Sequence, residues 1–442
     1  MTSAATADLD ETHDPSRLSW LESANDAGQD FPIQNLPLGV FSAGSSERRI
    51  GVAIGDHILD LAALPVDVLP PAIERAHLMA PALDGLLTLG RPILRDLRRR
   101  ISELLSASHA GDALRARRGD VLIPMSRCAL HRPTSVPDFT DFYAGIEHAR
   151  RAGSIARPGS ALAPNYGSQP IGYHGRASTV RVSGHPVRRP KGPRPAGDAT
   201  APTLGPTAAL DFELELGIVL CGSADQPVAI GAASERIGGF CLLNDWSARD
   251  IQRWEMAPLG PFLGKSFATT VSPWLVSPDA LAPFRVPAMP RAADHPALLA
   301  YLEDADDQAF GGLDIELTVH LITSAARKIQ PVGEIITTSN TRHLYWTPAQ
   351  MVAHHAVNGC ELRPGDLFGT GTISGPEVSQ SGSLLELTAN GREPITLTSG
   401  EQRAYLEDGD EVHFSGRCHR SGLTSIGFGP CTGVISSGEA TP

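Results

Sequence analysis

Residues 211–220 read DFELELGIVL, and this stretch alternates between apolar and other side chains. Every second residue is apolar, and the residues between them include Glu213 and Glu215. A period of two is typical of a β-strand, whose successive side chains point to opposite faces of the sheet. The pattern therefore predicts a strand that holds both glutamates on one face, about 7 Å apart along the chain.

The composition also favours a protein made mainly of strands. The 442 residues include 44 glycines and 36 prolines, and these high numbers indicate many turns and irregular loops. Residues 73–108 are an exception, because their leucines and isoleucines recur every three or four positions, as in a helix. Pro92 is expected to divide this segment into two helices. The length predicts more than one domain.

Domain boundaries follow from these patterns. Residues 1–15 are small, polar and acidic, and they predict a disordered tail. Residues 49–60, RIGVAIGDHILD, predict two strands joined at Gly55-Asp56. Together with the helical segment they indicate a small β domain over residues 16–130. The longer, mainly strand-like part at 131–442 is expected to be a second domain.

Three segments of this second part have their own signals. Residues 188–206 are rich in Pro, Gly and Arg and predict a long loop. Residues 244–255 predict a helix with Asp245 near its amino-terminal end. A further helix is better marked, with Thr347 as its cap and Gln350 completing a capping box.

Charge and apolar content limit the partners. The net charge of −12 disfavours binding to the phosphate backbone of nucleic acids, although a few arginines in a pocket can still bind a small anion. No stretch of the sequence approaches the ~18 apolar residues of a membrane helix, and no leader peptide is evident. The six cysteines form no CxxC pair and are expected to be reduced thiols. These features predict a cytoplasmic protein that does not bind membranes.

Residues 264–268, GKSFA, resemble two catalytic motifs but fit neither. A phosphate-binding loop would need a glycine five residues before Gly264, where this chain has Leu259. A serine nucleophile elbow would need a helix directly after Ser266, but the sequence TTVSP at 269–273 favours strand and turn. Neither nucleotide binding nor a nucleophilic serine is predicted.

Further carboxylates extend the pair on the predicted strand. Asp245 would share a helix face with Arg249, and Asp141 would share a face with His148 if that segment were helical. Four oxygen donors in one place repel one another unless a divalent cation such as Ca²⁺ or Mg²⁺ neutralises them. Spacing alone leaves open a solvated strand face and an ordinary surface ion pair.

Longer strings resemble the fumarylacetoacetase family. In the amino-terminal part these are the predicted hairpin and FPIQNLPLGVF at 31–41. The others are DFY at 141–143, GYHGRAS at 172–178, DFELE at 211–215, NDWSARDIQ at 244–252, PLGPFLGKSF at 258–267, VNGC at 357–360, LRPGDL at 362–367 and GTISG at 371–375. The resemblance covers residues 16 to 436 approximately, so it concerns the whole chain.

The resemblance implies an amino-terminal SH3-like β-barrel, a carboxy-terminal β-rich catalytic domain and a homodimer. It also implies the hydrolysis of a carbon–carbon bond in 4-fumarylacetoacetate to fumarate and acetoacetate, the last step of tyrosine and phenylalanine breakdown. Ca²⁺ would be bound by Asp141, Glu213, Glu215 and Asp245. Asp245 would also contribute to a Mg²⁺ site with Lys265 and Thr269.

The catalytic roles implied by the family likewise fall on particular residues. His148 would be the general base, oriented by Glu386, and Arg249, Gln252 and Lys265 would stabilise negative charge. The substrate would be bound by Tyr143, Arg157, Tyr173, Arg249, Gln252, Met256 and Thr372. Met256 departs from the family, which has a tyrosine there, and a thioether cannot donate the hydrogen bond of a phenol.

One alternative stays within the same fold. An acylpyruvate hydrolase, or another metal-dependent enzyme acting on related β-diketone acids, would use similar residues. Such relatives usually lack the amino-terminal domain that residues 31–60 indicate.

Overall fold

The computed structural model describes residues 9–44, 47–108, 111–157, 159–195, 201–328 and 333–438. The first strands are β1 (Leu38–Ala43), β2 (Arg49–Ile54), β3 (His57–Asp60), β4 (Leu122–Pro124) and β5 (Cys128–His131). They form a sheet in which β1 pairs with β2 and β5, β2 with β3, and β3 with β4. Gly55 turns the chain between β2 and β3 with a φ of 55°, which glycine adopts without strain. The predicted hairpin is confirmed.

The helical segment lies between β3 and β4. It contains α1 (Arg75–Leu78), α2 (Asp84–Leu87), α3 (Arg91–Leu105), α4 (Asp112–Ala116) and α5 (Arg118–Val121). Pro92 lies in the first turn of α3, where a missing N–H leaves no hydrogen bond unmade. Residues 73–108, all of which are described, therefore form α1, α2 and α3 instead of the two helices predicted.

The rest of the chain is mainly strand. Its strands are β6 (Phe139–Phe142), β7 (Gly172–His174), β8 (Val180–Val182), β9 (Val187–Arg188), β10 (Lys191–Arg194), β11 (Thr203–Pro206), β12 (Leu210–Asp211), β13 (Leu214–Leu220), β14 (Ile237–Asp245), β15 (Ser247–Ala248), β16 (Thr269–Val271), β17 (Trp274–Leu275), β18 (Arg285–Val286), β19 (Gly312–Leu313), β20 (Glu316–Ile322), β21 (Glu334–Asn340), β22 (Leu367–Gly369), β23 (Ile395–Thr396), β24 (Gln402–Arg403), β25 (Glu411–Cys418), β26 (Ile426–Gly427) and β27 (Cys431–Ser436). Its helices are α6 (Ile146–Ala156), α7 (Ile230–Ala233), α8 (Arg249–Glu255), α9 (Ala305–Phe310), α10 (Pro348–Ala356) and α11 (Leu384–Leu387).

Two sheets organise this part. The central sheet has the strand order β7-β6-β22-β13-β14-β16-β8, and a second sheet has the order β21-β20-β25-β27-β9. One apolar core includes Phe212 beside β13, Leu242 of β14 and Phe414 of β25. All residues of β13 are buried, as expected for a strand covered on both faces. The mainly β fold class, with an amino-terminal β domain and a larger β-rich part, is confirmed.

The two predicted domains share a strand and a core. β17 pairs with β1 through Leu275–Leu38 and Trp274–Gly39, so the larger part adds a strand to the amino-terminal sheet. A second apolar cluster joins Leu97 of α3 to Leu243 of β14. The amino-terminal part therefore packs against the central sheet through α3 and shares an apolar cluster with it.

Residues 1–15 do not all behave as the tail that composition predicts. Residues 1–8 lie outside the described residues, but Glu11–His13 form a 3₁₀ helix capped by Asp10. Thr12 accepts a hydrogen bond from Arg98 of α3, and His13 Nε2 lies 2.7 Å from the carbonyl oxygen of Asp279. The prediction of disorder is wrong at 10–14, because the contacts that order this segment come from residues distant in sequence.

The predicted loop at 188–206 also contains structure. β10 and β11 pair as a hairpin from Lys191–Pro206 to Arg194–Thr203, and residues 196–200 lie outside the described part. Ile251 of α8 contacts the position where Gly192 of β10 would carry a side chain. The hairpin is therefore positioned by packing on α8, which a local composition rich in Pro and Gly does not show.

The start of α8 differs from its prediction. The helix begins at Arg249 and not at Asn244, because residues 237–245 continue β14 and pair with β13 and β16. Asp245 and Arg249 therefore do not share a helix face. The helix capped by Thr347 is confirmed, including its capping box with Gln350.

Two predictions that concern the whole chain can also be compared with the structure. All six cysteines are described and all are free thiols, as predicted. Among the described helices, none combines the length and the apolar character needed to cross a membrane.

Candidate active site

The central sheet carries a row of polar side chains on neighbouring strands. Asp141 of β6 is the register partner of Gly369 of β22, and Asp245 of β14 is the partner of Thr269 of β16. Glu215 lies on β13, between β22 and β14. Strand register thus brings residues that are far apart in sequence into one row. Asp141 and His148 would have shared a face only in a helical segment, and this condition is not met because Asp141 belongs to a strand.

Four carboxylates form a cluster at the centre of this row. One oxygen atom from each of four residues lies within 4.8 Å of the others, and all four side chains are buried: Asp141, Glu213, Glu215 and Asp245. Burial, followed by the charge of Asp245, raises the pKa of Asp141 well above its usual value. Burial and the charge of Asp141 do the same to the pKa of Glu215. Such carboxylates are ionised together only if a positive charge lies among them.

Lys265 supplies part of that positive charge. Its Nζ lies 2.5 Å from Glu213 Oε2 and 2.7 Å from Asp245 Oδ2. Burial alone would lower the pKa of Lys265, but Asp245 and Glu213 raise it above its ordinary value. Burial would likewise raise the pKa of Glu213, but Lys265 and Arg249 lower it. Lys265 and Glu213 are therefore both charged.

Asp245 is held in place by two hydroxyl groups. The Tyr173 hydroxyl donates to Asp245 Oδ2 at 2.8 Å, and the Thr269 hydroxyl donates to Oδ1 at 2.8 Å. Burial, together with Asp245, raises the pKa of Tyr173 well above its usual value, so this phenol remains a donor. Both oxygens of Asp245 are consequently fixed in direction.

The cluster fits a divalent cation that prefers oxygen ligands. Asp141 Oδ1 and Glu215 Oε1 are buried and have no hydrogen-bond partner among the described residues. Buried polar atoms are normally paired, so two unpaired carboxylate oxygens in one cluster indicate a ligand for them. A side chain at Gly369 would place its Cβ 2.5 Å from Asp141 Oδ1 and 2.7 Å from Glu215 Oε2. Glycine at this position keeps the space beside both oxygens open.

A histidine and a glutamate form a second group. His148 lies on α6, and its Nδ1 is 2.7 Å from Oε2 of Glu386 on α11. The hydroxyls of Ser374 and Ser383 donate to the same oxygen at 2.9 Å and 2.8 Å. Burial alone would raise the pKa of Glu386, but His148 and the two hydroxyls lower it. Glu386 is therefore an anion that fixes the orientation of the imidazole.

Two more contacts complete this pair. Arg151 Nη1 lies 3.3 Å from Glu386 Oε1, and the ring of Tyr143 meets the ring of His148 edge to face at 5.4 Å between centroids. No hydrogen bond within the described residues uses Nε2 of His148. The ring is thus held through Nδ1, while Nε2 is available to a water molecule or a substrate.

Arg249 binds the carboxylate cluster and a further buried carboxylate, Asp211. Its Nε donates to Asp211 Oδ2 at 2.9 Å, and its Nη1 donates to Glu213 Oε1 at 2.7 Å and to Gln252 Oε1 at 3.3 Å. Its Nη2 is buried and has no partner in the described part of the chain, and the same holds for the hydroxyl of Thr372. Two donors without partners, near a cluster of carboxylates suited to a divalent cation, can bind an anionic oxygen.

Two predicted substrate contacts lie at the edge of this site. Arg157 is exposed and donates to the carbonyl oxygens of Ser160 and Ala161. Met256 follows the last residue of α8 and is 46% exposed. The structure does not bring either side chain into the buried cluster, whereas the remaining predicted site residues contribute buried polar atoms or contacts to it.

Asp211 is a functional candidate that the sequence analysis did not assign. It is fully buried and bound to Arg249, and it is the first residue of the predicted strand. A signal was present, because Asp211, Glu213 and Glu215 follow the same period of two. The alternation was interpreted only for the two glutamates.

Comparison with known proteins gives these features a context. Residues 139–435 match the family model described as fumarylacetoacetate (FAA) hydrolase C-terminal, and residues 34–133 match that described as fumarylacetoacetase N-terminal. The larger match covers the central sheet and both groups described above. It defines the class of the catalytic domain.

The curated relatives are similar along almost the whole length. The chain is 45% identical to fumarylacetoacetase of Caenorhabditis elegans over 418 residues, covering 92% of this chain and 96% of that protein. It is 43% identical to fumarylacetoacetase of Homo sapiens over 426 residues, covering 95% and 98%. For the protein of that name from Arabidopsis thaliana the identity is 43% over 435 residues, covering 95% and 99%. The chain belongs to the fumarylacetoacetase family.

Proposed function

We propose that this enzyme hydrolyses 4-fumarylacetoacetate to fumarate and acetoacetate, the last step of tyrosine and phenylalanine breakdown. The observation that carries the proposal is a cluster of four buried carboxylates beside a His148–Glu386 pair, in a chain 40–45% identical to curated fumarylacetoacetases. Both family models match, including the one for the amino-terminal domain. The alternative, an acylpyruvate hydrolase or related enzyme, is not favoured.

The carboxylate cluster would hold a divalent cation. Ca²⁺ would be bound by Asp141, Glu213, Glu215 and Asp245. Mg²⁺ would lie at a site formed by Asp245 with Lys265 and Thr269, where the charged amino group of Lys265 supplies no ligand atom. The unpaired oxygens of Asp141 and Glu215 support a cation with oxygen ligands. When bound, the ion would polarise the diketone oxygens and offset negative charge that develops on them.

His148 would activate water. Its Nε2 takes a proton from the water molecule that attacks the carbonyl carbon, while Nδ1 remains bonded to Glu386. The Glu386 carboxylate stabilises the imidazolium that forms, and its four donors keep it from turning away. The 2.7 Å contact between His148 and Glu386 supports this role.

The cationic side of the pocket would stabilise the oxyanion. Attack by water produces a tetrahedral alkoxide, which Arg249, Gln252 and Lys265 would stabilise. Arg249 and Lys265 donate to the Glu213 carboxylate, and Gln252 Oε1 accepts from Arg249. Cleavage of the carbon–carbon bond then leaves an enolate that takes up a proton to give acetoacetate. Tyr143, Arg157, Tyr173, Met256 and Thr372 would bind the substrate.

The protein would act as a homodimer in the cytoplasm. The end of α8 and the segment from there to Lys265 expose several large apolar side chains: Trp254 (43%), Met256 (46%), Leu259 (96%), Phe262 (69%) and Leu263 (40%). The Glu255 carboxylate accepts hydrogen bonds from the backbone N–H groups of Phe262, Leu263 and Gly264, which gives the segment a defined shape. An apolar surface of this kind favours contact with a second copy. The free thiols suit a reducing compartment.

A direct assay tests the proposal. Purified protein with Ca²⁺ or Mg²⁺ is expected to remove the absorbance of 4-fumarylacetoacetate and to release fumarate and acetoacetate in equal amounts. An acylpyruvate is the comparison substrate. If the acylpyruvate is cleaved and 4-fumarylacetoacetate is not, the proposed substrate is wrong.

A further inference from the structure

We propose that Asp211 is a positioning residue that couples Arg249 to the turn carrying Glu386, so that both face the substrate in a fixed relation. Asp211 touches neither the reacting atoms nor the cluster's unpaired oxygens. Its role in catalysis rests on the proposed function, while its role in geometry does not.

The contacts of Asp211 use both carboxylate oxygens. Oδ1 accepts from the backbone N–H groups of Leu384 at 2.7 Å and Phe212 at 2.9 Å. Oδ2 accepts from Leu385 N–H at 2.9 Å and from Arg249 Nε at 2.9 Å. One buried carboxylate therefore binds three parts of the chain: the backbone next to Glu213, the first residue of α8 and the first turn of α11.

The turn at α11 depends on this carboxylate because it has no cap of its own. Ser383 precedes α11, but its side chain makes no capping bond and donates instead to Glu386. The N–H groups of Leu384 and Leu385, which a cap would normally satisfy, are bound by Asp211 from another strand. Since Glu386 is the next residue, the position of Asp211 determines where the carboxylate that holds His148 lies.

The same carboxylate sets the direction of Arg249. With Nε bound to Asp211 and Nη1 bound to Glu213, the guanidinium plane is fixed, and Nη2 is left as a donor without a partner. Charge-assisted bonds of this kind are stronger than neutral ones and orient the group well. Asp211 thus connects the oxyanion donor Arg249 with the His148–Glu386 pair. No other contact described above joins these two groups directly.

The substitution Asp211→Asn tests this coupling. If Asn keeps its oxygen on Leu384 N–H, its amide N–H groups face two other donors, Leu385 N–H and Arg249 Nε–H. We expect kcat to fall about 10²-fold, the effect of displacing catalytic groups by about 1 Å. KM should change less than about threefold, because the substrate contacts themselves remain.

Asp250→Asn is the matched control. Asp250 is also a carboxylate that anchors α8, through Thr207 and the N–H of Ala208, but it contacts neither Arg249 nor α11. Its kcat should stay within about threefold of the wild type. Equal losses of kcat in both variants would show that Asp211 only supports α8, and would overturn the proposal.

A double variant separates coupling from general damage. Glu386→Gln weakens the hydrogen bond that orients His148. If Asp211 and Glu386 act through the same turn, the double variant with Asp211→Asn should have a kcat only slightly lower than that of the more impaired single variant. Losses that multiply would mean that Asp211 acts independently of Glu386, contrary to the proposal.

Crystal structures of the variants make the test independent of substrate. In Asp211→Asn, Leu384–Glu386 and the Arg249 side chain should both move relative to the wild type, whereas in Asp250→Asn they should not. Should Asp211→Asn fail to fold, Asp211→Ser replaces it, since its hydroxyl can still accept from Leu384. If these groups do not move in a folded variant, the inference is wrong. This structural outcome does not depend on whether the wild type hydrolyses 4-fumarylacetoacetate, so it is distinct from a failure of the proposed function.

Discussion

The two halves of the site differ in whether every buried polar atom has a partner within the protein. In the His148–Glu386 pair, Glu386 has a partner on each oxygen and His148 is bonded through Nδ1. In the carboxylate cluster, Asp141 Oδ1 and Glu215 Oε1 are buried without a partner among the described residues. The first half is complete within the chain, whereas we propose that a cation completes the second half.

The first half therefore acts mainly through the orientation of its groups, and the second half mainly through its charge. The paired half fixes directions, because hydrogen bonds from several elements meet at one carboxylate. The carboxylate half accumulates negative charge that Lys265 only partly offsets, and buried like charges are costly unless compensated. We therefore expect substitutions in the first half to change turnover most, and substitutions in the second half to change how the protein responds to metal ions.

His148→Ala is expected to have the largest effect. Removal of the imidazole deletes the proton acceptor, and general acid–base catalysis contributes roughly 10²–10⁴-fold in rate. Turnover should fall by that factor, with the metal-induced rise in unfolding temperature unchanged. Steady-state kinetics on 4-fumarylacetoacetate and thermal unfolding measure the two. Near-normal turnover in the folded variant would remove His148 from the mechanism.

Glu215→Gln is expected to act on the metal response. In the presence of a chelator, burial and Asp141 raise the pKa of Glu215 and disfavour its charged form, so uncharged glutamine is a close substitute and the unfolding temperature should change by less than about 2 °C. Added Ca²⁺ or Mg²⁺ should then stabilise the variant far less than the wild type, because one charged ligand is missing. Thermal unfolding with and without metal measures both.

Glu316→Gln is the control for that experiment, since Glu316 is exposed on β20 of the second sheet. It should keep the metal-induced stabilisation of the wild type. If Glu215→Gln gains as much stability from metal as the wild type does, Glu215 is not a ligand.

Met256→Tyr is expected to have the smallest effect. A phenol would restore the hydrogen-bond donor of the family, but at 46% exposure such a bond contributes only about 0.5–1 kcal/mol. KM for 4-fumarylacetoacetate should fall about threefold with kcat little changed. Met79→Tyr, at a comparably exposed methionine, should leave both constants unchanged. A higher KM in Met256→Tyr would indicate that the methionine suits a different diketone acid.

Local patterns predicted those parts of the fold that local interactions determine. The hairpin at 49–60 and the capping box at Thr347 were predicted because turn residues and caps act over a few residues, and the period of two predicted the strand that carries Glu215. That strand begins at Leu214, so Glu213 precedes it instead of lying on it. Asp245 was placed on a helix instead of a strand. Its conformation depends on pairing with β13 and β16, which the local sequence does not reveal.

The site was predictable to a different extent. Nothing near Glu386 in the sequence indicates that it binds His148, which lies 238 residues away, and only the family resemblance supplied that pair. Asp211 was missed although it continues the period of Glu213 and Glu215, because its partners, Arg249 and the turn at α11, meet only in the folded protein.

Metal removal tests the central claim most directly, namely that the four carboxylates are a cation site required for hydrolysis. The protein is stripped with a chelator, its metal content is determined by elemental analysis, and hydrolysis of 4-fumarylacetoacetate is measured before and after Ca²⁺ or Mg²⁺ is returned. We expect the stripped protein to lose activity and either or both ions to restore it, in the wild type but far less in Glu215→Gln. Full activity in protein shown to contain no divalent metal would mean that hydrolysis does not require a cation at the four carboxylates.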